Sequence, residues 1–434
     1  MKTKCLLFSS LSILILTCCG TSGSTYAENP AAGSSTAAVQ EADSLPEDSQ
    51  ASGRESLEAP PSGSSSSGTA SQEHPGATDT ASLPAADAAG SSPDTAADTN
   101  AASGTADGAS GAADHTLPHP GQAPAPGSDQ AETFTALHGA LAVDGSDLVD
   151  QNGDSVRLYG MSTHGITWFP QYVNYDTFRT LRDDWNTNCV RLALYTAEYN
   201  GYSTGGSQEE LKSLVKDGID YATDLGMYVI VDWHILSDQD PNVHKEDAIG
   251  FFREISSLYK DYTNVIYEIC NEPNGYATWD SVKSYAGEVI PVIRENDEDA
   301  VILVGTPMWC QNIDQAADSP LEFDNVMYTL HFYAATHTDE LRSRLENAVD
   351  AGLPVFVSEF GMCDASGNGG NNFEQAEKWM ELLDKYNISF ICWNLANKAE
   401  TSSVLKSGCE KISDWTEDEL SESGLWIRER FKMF

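Results

Sequence analysis

Short apolar runs recur along this chain from residue 156 onward, at intervals near 30 to 40 residues. Each run is too short for a buried helix and is rich in β-branched and aromatic side chains, which is typical of buried parallel strands. Eight such runs occur, at residues 156–159, 189–194, 227–231, 265–269, 301–304, 326–330, 354–357 and 388–393.

The segments between these runs have helical spacing. Residues 208–225 and 246–260 place Leu, Val, Ile and Phe three or four positions apart among charged residues. Strand and helix alternating eight times predict an α/β fold of the (β/α)₈ type, a TIM barrel. Residues 141–144 and 147–150 precede the first strand and predict a short β-hairpin that plugs the lower end of the barrel.

The first 27 residues have the pattern of an export signal. A basic start at residues 1–4 precedes an apolar stretch at 5–16, and small residues surround a cleavage position after Ala27. The sequence LTCCG at residues 16–20 also resembles a bacterial lipobox, which leaves lipid attachment at Cys18 or Cys19 open. Cleavage after Ala27 and lipid attachment at a cysteine both predict a protein outside the cytoplasm, either secreted or anchored at the bacterial cell surface.

Residues 28–133 are predicted to form a disordered acidic linker. They consist mainly of Ala, Ser, Gly, Asp, Glu, Thr and Pro, and Arg54 is their only Lys or Arg. Such a segment cannot bury enough apolar surface to offset the entropy lost on folding. It could serve as a tether or as a hydrophilic leader, and residues 134–434 are predicted to form the catalytic domain.

The formal charge of −42 argues against nucleic acid or an anionic membrane as a partner. Of the nine cysteines, six lie beyond residue 19, without the close pairs that zinc sites use. Those in strand-like runs, Cys189, Cys270 and Cys392, are predicted to be buried thiols. One disulfide among the six remains an alternative.

Two glutamates stand where an apolar strand gives way to a loop. Glu272 lies in VIYEICNEP (residues 265–273) and Glu359 in PVFVSEFG (residues 354–361), 359 − 272 = 87 residues apart. That separation corresponds to three βα units of roughly 30 residues. Parallel barrel strands end on one face, so carboxylates on the fourth and seventh strands can meet across its mouth. Glycosidic hydrolysis requires such a pair, with an acid for the leaving oxygen and a carboxylate that attacks or activates water.

Other polar and aromatic side chains fall where packing alone would not place them. Arg191 lies inside the second predicted strand and must be paired there, with Glu359 as the predicted partner. This arginine would also keep Glu359 ionised. Further candidates at strand ends, including aromatic residues that can pack against sugar rings, are His164, His234, His331, Tyr333, Trp168, Tyr195, Trp309 and Trp393.

Several of these segments resemble glycoside hydrolase family 5. They are YGMSTHG (159–165), LRDDW (181–185), VIVDWHILS (229–237), VIYEICNEPN (265–274), HFYA (331–334) and VSEFG (357–361). The resemblance extends over about residues 137–432 and is closest to the subfamily of bacterial endo-β-1,4-glucanases. It implies a retaining, endo-acting β-1,4-glucanase (cellulase) that needs no cofactor and acts as a monomer on β-glucan.

The resemblance also implies roles for individual residues. Glu272 would be the proton donor and general base, and Glu359 the nucleophile. Asn271 would contact the sugar 2-hydroxyl, Tyr333 would orient Glu359, and His331 would lie near Glu272. Positions that match a glucose-binding cleft are His164, Trp168, Phe169, Tyr195, His234, Ala365, Ser366 and Trp393, with Lys398 and Glu400 at distal subsites.

Two positions depart from the family pattern. Phe360 stands where relatives commonly carry tryptophan, and Ala399, in the predicted substrate-binding set, stands where they carry an acidic residue. Neither change removes a catalytic group, so both bear on subsite affinity.

Three alternatives remain. The same scaffold could act as a β-mannanase, xylanase or mixed-linkage glucanase, because a few loop contacts decide which sugar is bound. A metal-dependent hydrolase could use His164, His234, His331 and Asp232, although the chain has no His-x-His pair. A non-catalytic carbohydrate-binding protein is the third alternative.

Overall fold

The computed structural model describes residues 133–434. The predicted signal peptide and all but the last residue of the predicted linker lie outside this range. Within it, no helix has both the length and the apolar character needed to cross a membrane.

Ten β-strands are present in the described range. They are β1 (Ala142–Asp144), β2 (Asp147–Val149), β3 (Tyr159–Thr163), β4 (Cys189–Tyr195), β5 (Tyr228–His234), β6 (Val265–Glu268), β7 (Ile302–Gly305), β8 (Val326–Tyr333), β9 (Val355–Gly361) and β10 (Phe390–Leu395). Strands β1 and β2 pair as an antiparallel hairpin. The other eight form a closed parallel barrel in which each strand pairs with the next and β10 pairs with β3.

Helices alternate with the barrel strands, which confirms the predicted TIM barrel. They are α1 (Phe134–His138), α2 (Tyr175–Asp183), α3 (Gln208–Asp224), α4 (Lys245–Tyr259), α5 (Trp279–Arg294), α6 (Pro307–Cys310), α7 (Ile313–Asp318), α8 (Asp339–Asp350), α9 (Phe373–Lys385) and α10 (Glu422–Phe431). In α3 the buried residues Leu211, Val215, Ile219 and Ala222 recur at three- or four-residue spacing, so one face packs on the barrel. Side chains of Asn174, Ser207 and Thr278 cap the first turns of α2, α3 and α5.

The lower end of the barrel is apolar and closed by the hairpin, as the sequence predicts. Leu141 and Leu148 of the hairpin region join one buried cluster with the first inward-facing barrel side chains, among them Tyr228, Met327 and Phe356. The Tyr228 hydroxyl also donates a hydrogen bond to the Gly139 carbonyl oxygen at 2.6 Å. Because this end is sealed, a ligand can reach the barrel interior only from the opposite end.

The strands differ from the predicted runs mainly at their ends. The first barrel strand begins at Tyr159 and not at Val156, because the Val156 amide donates to Leu148 and so extends the hairpin. Several strands also continue past their apolar runs into polar residues, as β5 does to His234 and β8 to Tyr333. These polar residues point into the barrel, where apolar patterning does not reveal a strand.

All six cysteines of the described range are buried and free. This confirms buried thiols at Cys189, Cys270 and Cys392, and no disulfide forms among the six.

Candidate active site

A fully buried arginine occupies the barrel interior above the apolar layer. Arg191 on β4 places Nε 2.7 Å from Glu268 Oε2 and Nη1 3.2 Å from Glu359 Oε2. Its Nη2 lies 3.0 Å from Asp232 Oδ2 and 2.6 Å from Asn271 Oδ1. We call these five residues the arginine cluster. The predicted Arg191–Glu359 pair is therefore present, but Glu359 shares the cation with two further carboxylates.

Glu272 lies in the loop after β6 and is buried. Its Oε1 is 2.9 Å from Nδ1 of His331, at the position the family resemblance implies. Burial raises the pKa of Glu272 to about 7, with Arg191 opposing and the charge of Glu268 adding to this effect. A carboxyl with this pKa can carry a proton near neutrality, as a general acid must.

Glu359 on β9 receives two strong hydrogen-bond donors. The Tyr333 hydroxyl donates to Oε1 at 2.8 Å, and Arg191 donates to Oε2. Burial, and next the charge of Glu272, raise the pKa of Glu359, while His331 and Arg191 oppose this. Arg191 is shared with Glu268 and Asp232, and its effect on Glu359 acts against that of burial. Both donors nonetheless favour a charged Glu359, so a proton divided between the two glutamates prefers Glu272.

The two glutamates approach each other closely. One oxygen of Glu272 and one of Glu359 lie within 4.8 Å of each other, and His331 has a ring nitrogen within the same distance of both. Retaining glycosidases hold their carboxyl groups about 5–5.5 Å apart, whereas inverting enzymes need roughly 6.5–9.5 Å to admit a water. The geometry therefore fits direct attack by one carboxylate.

A β-bulge in β9 brings two consecutive residues into the barrel. The pairing of β8 with β9 passes from Thr329↔Phe356 to His331↔Glu359, so β9 contains one extra residue. As a result Ser358 Oγ contacts His331 and Glu268, while Glu359 contacts Tyr333 and Arg191. Regular alternation would have turned one of the two side chains outward.

His234 is held as a neutral imidazole. Its Nδ1 lies 2.6 Å from Asp232 Oδ2, and burial lowers its pKa to about 3. With Nδ1 donating to Asp232, Nε2 accepts from Asn271 Nδ2 at 3.2 Å. The Asn271 amide is thus fixed by Arg191 on one side and by His234 on the other.

An open cleft of about 720 Å³ lies above the two glutamates. Most site residues predicted from the sequence line this cleft. They are Glu272, Glu359, His331, Tyr333, His164, Trp168, Tyr195, His234, Trp309, Ala365, Ser366, Trp393, Lys398 and Glu400. Arg191 and Asn271 are fully buried and contact the glutamates or their neighbours without lining the cleft. Phe169 and Ala399 are also absent from the lining. The Phe169 ring centroid lies 5.0 Å from that of His164, and Ala399 is exposed.

Aromatic rings and an ion pair form one wall of the cleft. The rings of His234 and Trp393 stack at 5.2 Å, and those of Trp168 and Tyr195 lie 4.7 Å apart. Nearby, Lys398 Nζ lies 2.6 Å from Glu400 Oε2. Flat apolar rings beside fixed charges suit a sugar, which has C–H faces and peripheral hydroxyls.

Trp309 lies on an unusual turn between β7 and β8. Met308, Trp309 and Cys310 all have positive φ, at 60°, 55° and 58°. Such conformations cost about 1–2 kcal/mol per residue and collect at functional sites. The Cys310 thiol secures the turn by donating to the Asn271 carbonyl oxygen at 2.9 Å. The Trp309 side chain remains 41% exposed where it lines the cleft.

Sequence reasoning missed several residues of the site. Glu268 and Ser358 were overlooked, although Glu268 breaks an apolar strand in the same way as Arg191. Asp232 was considered only as a metal ligand. The cleft is also lined by Glu198, Leu236, Gln311, His337, Gly367 and Ser402, which lie in or beside loops and carry no signal that distinguishes them in one sequence.

The residue set of the metal-dependent alternative does not come together. In residues 133–434, the one group of three potential donor side chains within 4.8 Å is Glu272, His331 and Glu359. His234 and Asp232 bond each other, and His164 instead faces Lys398, 3.2 Å from its Nε2.

Replacing Arg191 with methionine should lower the free energy of unfolding by about 3–5 kcal/mol, because it leaves buried carboxylates without their cation. The acid pKa values in the cluster are already raised in the folded protein, that of Asp232 to about 7. The folded state therefore loses stability as pH rises towards these values, and without Arg191 they rise further. Urea denaturation should show a larger deficit at pH 8 than at pH 5.

The matched control is Lys245→Met, which removes a partly exposed pair with Glu288 and should cost about 0–1 kcal/mol. A loss in Arg191→Met no larger than in this control would contradict the assigned role of the cluster.

Comparison with known proteins places this architecture in a family. The profile described as cellulase (glycosyl hydrolase family 5) matches residues 149–399. Endoglucanase A of Butyrivibrio fibrisolvens is 53% identical over 293 residues, covering 67% of this chain and 68% of that protein. An endoglucanase of Clostridium saccharobutylicum is 48% identical over 296 residues, covering 68% of this chain and 65% of that protein. The matched region thus spans about two thirds of the length of these relatives.

Solved structures of cellulases support the same family assignment. Cellulase Cel5C_n superposes with a TM-score of 0.66 at 44% identity, covering 68% of this chain and 92% of that one. A glutamate-to-glutamine variant of the catalytic domain of Thermobifida fusca endoglucanase Cel5A, in complex with cellotetraose, superposes with a TM-score of 0.66 at 38% identity, covering 69% of this chain and 99% of that one. With its closed barrel and its pair of glutamates at the open end, this chain belongs to the cellulase family, glycosyl hydrolase family 5.

Proposed function

We propose that this protein is an endo-β-1,4-glucanase that cleaves internal bonds of β-glucan chains with retention of configuration. The observation that carries the proposal is the Glu272–Glu359 pair, with oxygens within 4.8 Å, beneath an open cleft. The names of the relatives and the cellotetraose bound by the Thermobifida enzyme support a β-1,4-glucan as substrate.

In the first step, Glu359 Oε attacks the anomeric carbon while Glu272 transfers its proton to the departing glycosidic oxygen. A covalent glycosyl-enzyme forms, and the chain on the leaving side departs with a free hydroxyl. Tyr333 and Arg191 hold the two oxygens of Glu359, so the attacking carboxylate needs little reorganisation.

In the second step, Glu272 is a carboxylate and takes a proton from a water molecule, which attacks the same anomeric carbon. The bond to Glu359 breaks, and two inversions give net retention. His331, at 2.9 Å from Glu272, remains beside the carboxylate through both steps.

Reducing-sugar release from carboxymethylcellulose tests the proposal, with Glu272→Gln and Glu359→Gln measured alongside. Activity in the wild-type protein and its loss in both variants would support the glucanase and both catalytic residues. Barley glucan, xylan and mannan serve as competing substrates. Activity confined to xylan or mannan would overturn the substrate, and inactivity on every glycan would overturn the enzymatic proposal.

The pH dependence of kcat/KM should show an upper limb governed by Glu272. This group must be protonated in the free enzyme, and burial raises its pKa to about 7. Activity should therefore fall as pH rises through about 7. An upper limb near pH 10 would instead point to a tyrosine or lysine as the acid.

We also propose that the protein acts outside the cytoplasm, as the basic and apolar pattern of residues 1–27 suggests. Fractionation of the producing cells, with and without globomycin to block lipoprotein processing, tests secretion against a lipid anchor. Retention of the full-length chain in the cytoplasm would overturn this proposal.

A further inference from the structure

A chain of hydrogen bonds leads from Glu272 to a carboxylate that never touches the cleft. Glu272 Oε1 lies 2.9 Å from His331 Nδ1, and His331 Nε2 lies 2.9 Å from Ser358 Oγ. Ser358 Oγ lies in turn 2.7 Å from Glu268 Oε1. His331, Ser358 and Glu268 are almost completely buried, and Glu268 and Ser358 are inaccessible to solvent. The reaction described above gives Glu268 no task.

The hydrogen bonds between Glu268 and Glu272 all run in one direction. Burial raises the pKa of Glu268, and Arg191 opposes this effect. Glu268 Oε2 accepts from Arg191 Nε at 2.7 Å, and this charge-assisted bond favours the ionised carboxylate. An ionised Glu268 has no proton to donate, so Ser358 must donate its hydroxyl to Oε1. Ser358 Oγ then accepts from His331, which requires the proton of the imidazole on Nε2.

This tautomer leaves His331 Nδ1 as a bare acceptor facing Glu272. Burial lowers the pKa of His331 to about 4, so the imidazole is neutral near neutral pH. A hydrogen bond to the bare nitrogen is possible only if Glu272 carries the proton. The direction set at Glu268 therefore reaches the carboxyl that must act as the acid.

We infer that Glu268 is a positioning residue for catalysis, which acts through Ser358 and His331 to keep the proton on Glu272. The inference rests on the proposed function for Glu272 and adds a residue that sets its protonation state. After Glu272 has protonated the leaving group, its carboxylate faces a nitrogen lone pair. That contact is unfavourable, so Glu272 readily removes a proton from water in the second step.

Other ionisable groups also face Glu272 and enter its titration. They come from β4, β5, β8, β9 and the turn at α6, and are Arg191, Tyr195, Asp232, Tyr333, Glu359 and Cys310. His234 of β5 contacts Asn271, the residue before Glu272. Arg191 lowers the pKa of Glu272, and Glu268 raises it. The variants below therefore need a control that changes charge near Arg191 without touching the hydrogen-bond chain.

Glu268→Gln should reverse the direction of the hydrogen bonds between residue 268 and Glu272. Arg191 Nε still needs an acceptor, so the glutamine oxygen faces Arg191 and the amide NH₂ faces Ser358. Ser358 then donates to His331 Nε2, and Nδ1–H donates to Glu272, which favours its ionised form. The upper limb of the kcat/KM profile should move down by about 1 pH unit or more. The defect should shrink on dinitrophenyl cellobioside, whose leaving group needs no acid.

Two substitutions of Ser358 separate hydrogen bonding from charge. Ser358→Ala retains the charge of Glu268, but Oε1 is 3.9 Å from His331 Nε2, too far for a hydrogen bond. It should move the upper limb in the same direction by a smaller amount, while Ser358→Thr, which keeps the hydroxyl, should restore the wild-type limb.

Asp232→Asn is the charge-matched control. This substitution removes a buried carboxylate beside Arg191, but Asp232 is not part of the hydrogen-bond chain. The upper limb of the kcat/KM profile should therefore move less in Asp232→Asn than in Glu268→Gln. An equal shift in Asp232→Asn, or unchanged limbs in Glu268→Gln and Ser358→Ala, would overturn the inference.

The wild-type protein offers a test that does not depend on the variants folding or on any substrate. Long-range ¹⁵N–¹H NMR of the full chain at pH 6 should show His331 with its proton on Nε2 and an unprotonated Nδ1. The Nδ1–H tautomer or an imidazolium at that pH would overturn the inference. If the protein is inactive on all glycans but His331 has the expected tautomer, the proposed function is contradicted and the assigned hydrogen-bond direction is not.

Discussion

Glu359→Ala is expected to lower turnover of β-glucan by about 10⁴-fold or more, because no covalent intermediate can form without the attacking carboxylate. The methyl group left behind creates space beside Arg191 and Tyr333, which both donate hydrogen bonds to Glu359. A small anion such as azide or formate can enter this space. Measured with an activated cellobioside, added azide should restore part of the activity.

The product of rescue identifies the face that is attacked. In Glu359→Ala, azide occupies the place of the nucleophile, so the glycosyl azide should have the α configuration. Glu381→Ala, which removes an exposed glutamate of α9, is the control and should retain wild-type turnover. Substantial turnover of Glu359→Ala without an added anion would show that another group attacks the sugar.

Glu272→Ala is expected to lower activity by an amount that depends on the leaving group. On β-glucan, loss of the general acid should cost about 10²–10⁴-fold, because the departing sugar hydroxyl must be protonated. A dinitrophenolate leaves without protonation, so with dinitrophenyl cellobioside the first step should stay fast and the glycosyl-enzyme should accumulate. Burst kinetics would measure both effects.

Azide again provides the internal control. In Glu272→Ala it should attack the glycosyl-enzyme from the side where water normally approaches, giving a β-glycosyl azide. The opposite configurations from the two variants would assign the two carboxylates independently of any sequence comparison. An equal loss on both substrates would argue that Glu272 is not the proton donor.

The barrel and its two glutamates were predictable because their signals are local. Each barrel strand needs a run of apolar residues to fill the space between the barrel and its helices, and such runs are visible in one sequence. Glu272 and Glu359 were recognisable because each ends such a run, and the order of βα units determines which strands they follow. The aromatic residues of the cleft wall were found in the same way, by their position after strands.

The polar contacts beneath the cleft were less predictable. Arg191 was expected to pair with Glu359, yet it contacts three carboxylates, and burial raises the pKa of Glu359 despite the arginine. Which acids share one cation depends on the angular positions of β4, β5, β6 and β9 around the barrel. Sequence spacing does not contain that information.

The sequence by itself determined the alternation of strands and helices, the carboxyl ends at which the catalytic side chains lie, and the chemistry that they can perform. The tertiary structure decided which atoms meet. The bulge in β9 turns both Ser358 and Glu359 inward, and this places Ser358 between His331 and Glu268. A bulge depends on pairing between strands far apart in sequence, and hydrogen bonds depend on tenths of an ångström, so neither is encoded by local residue patterns.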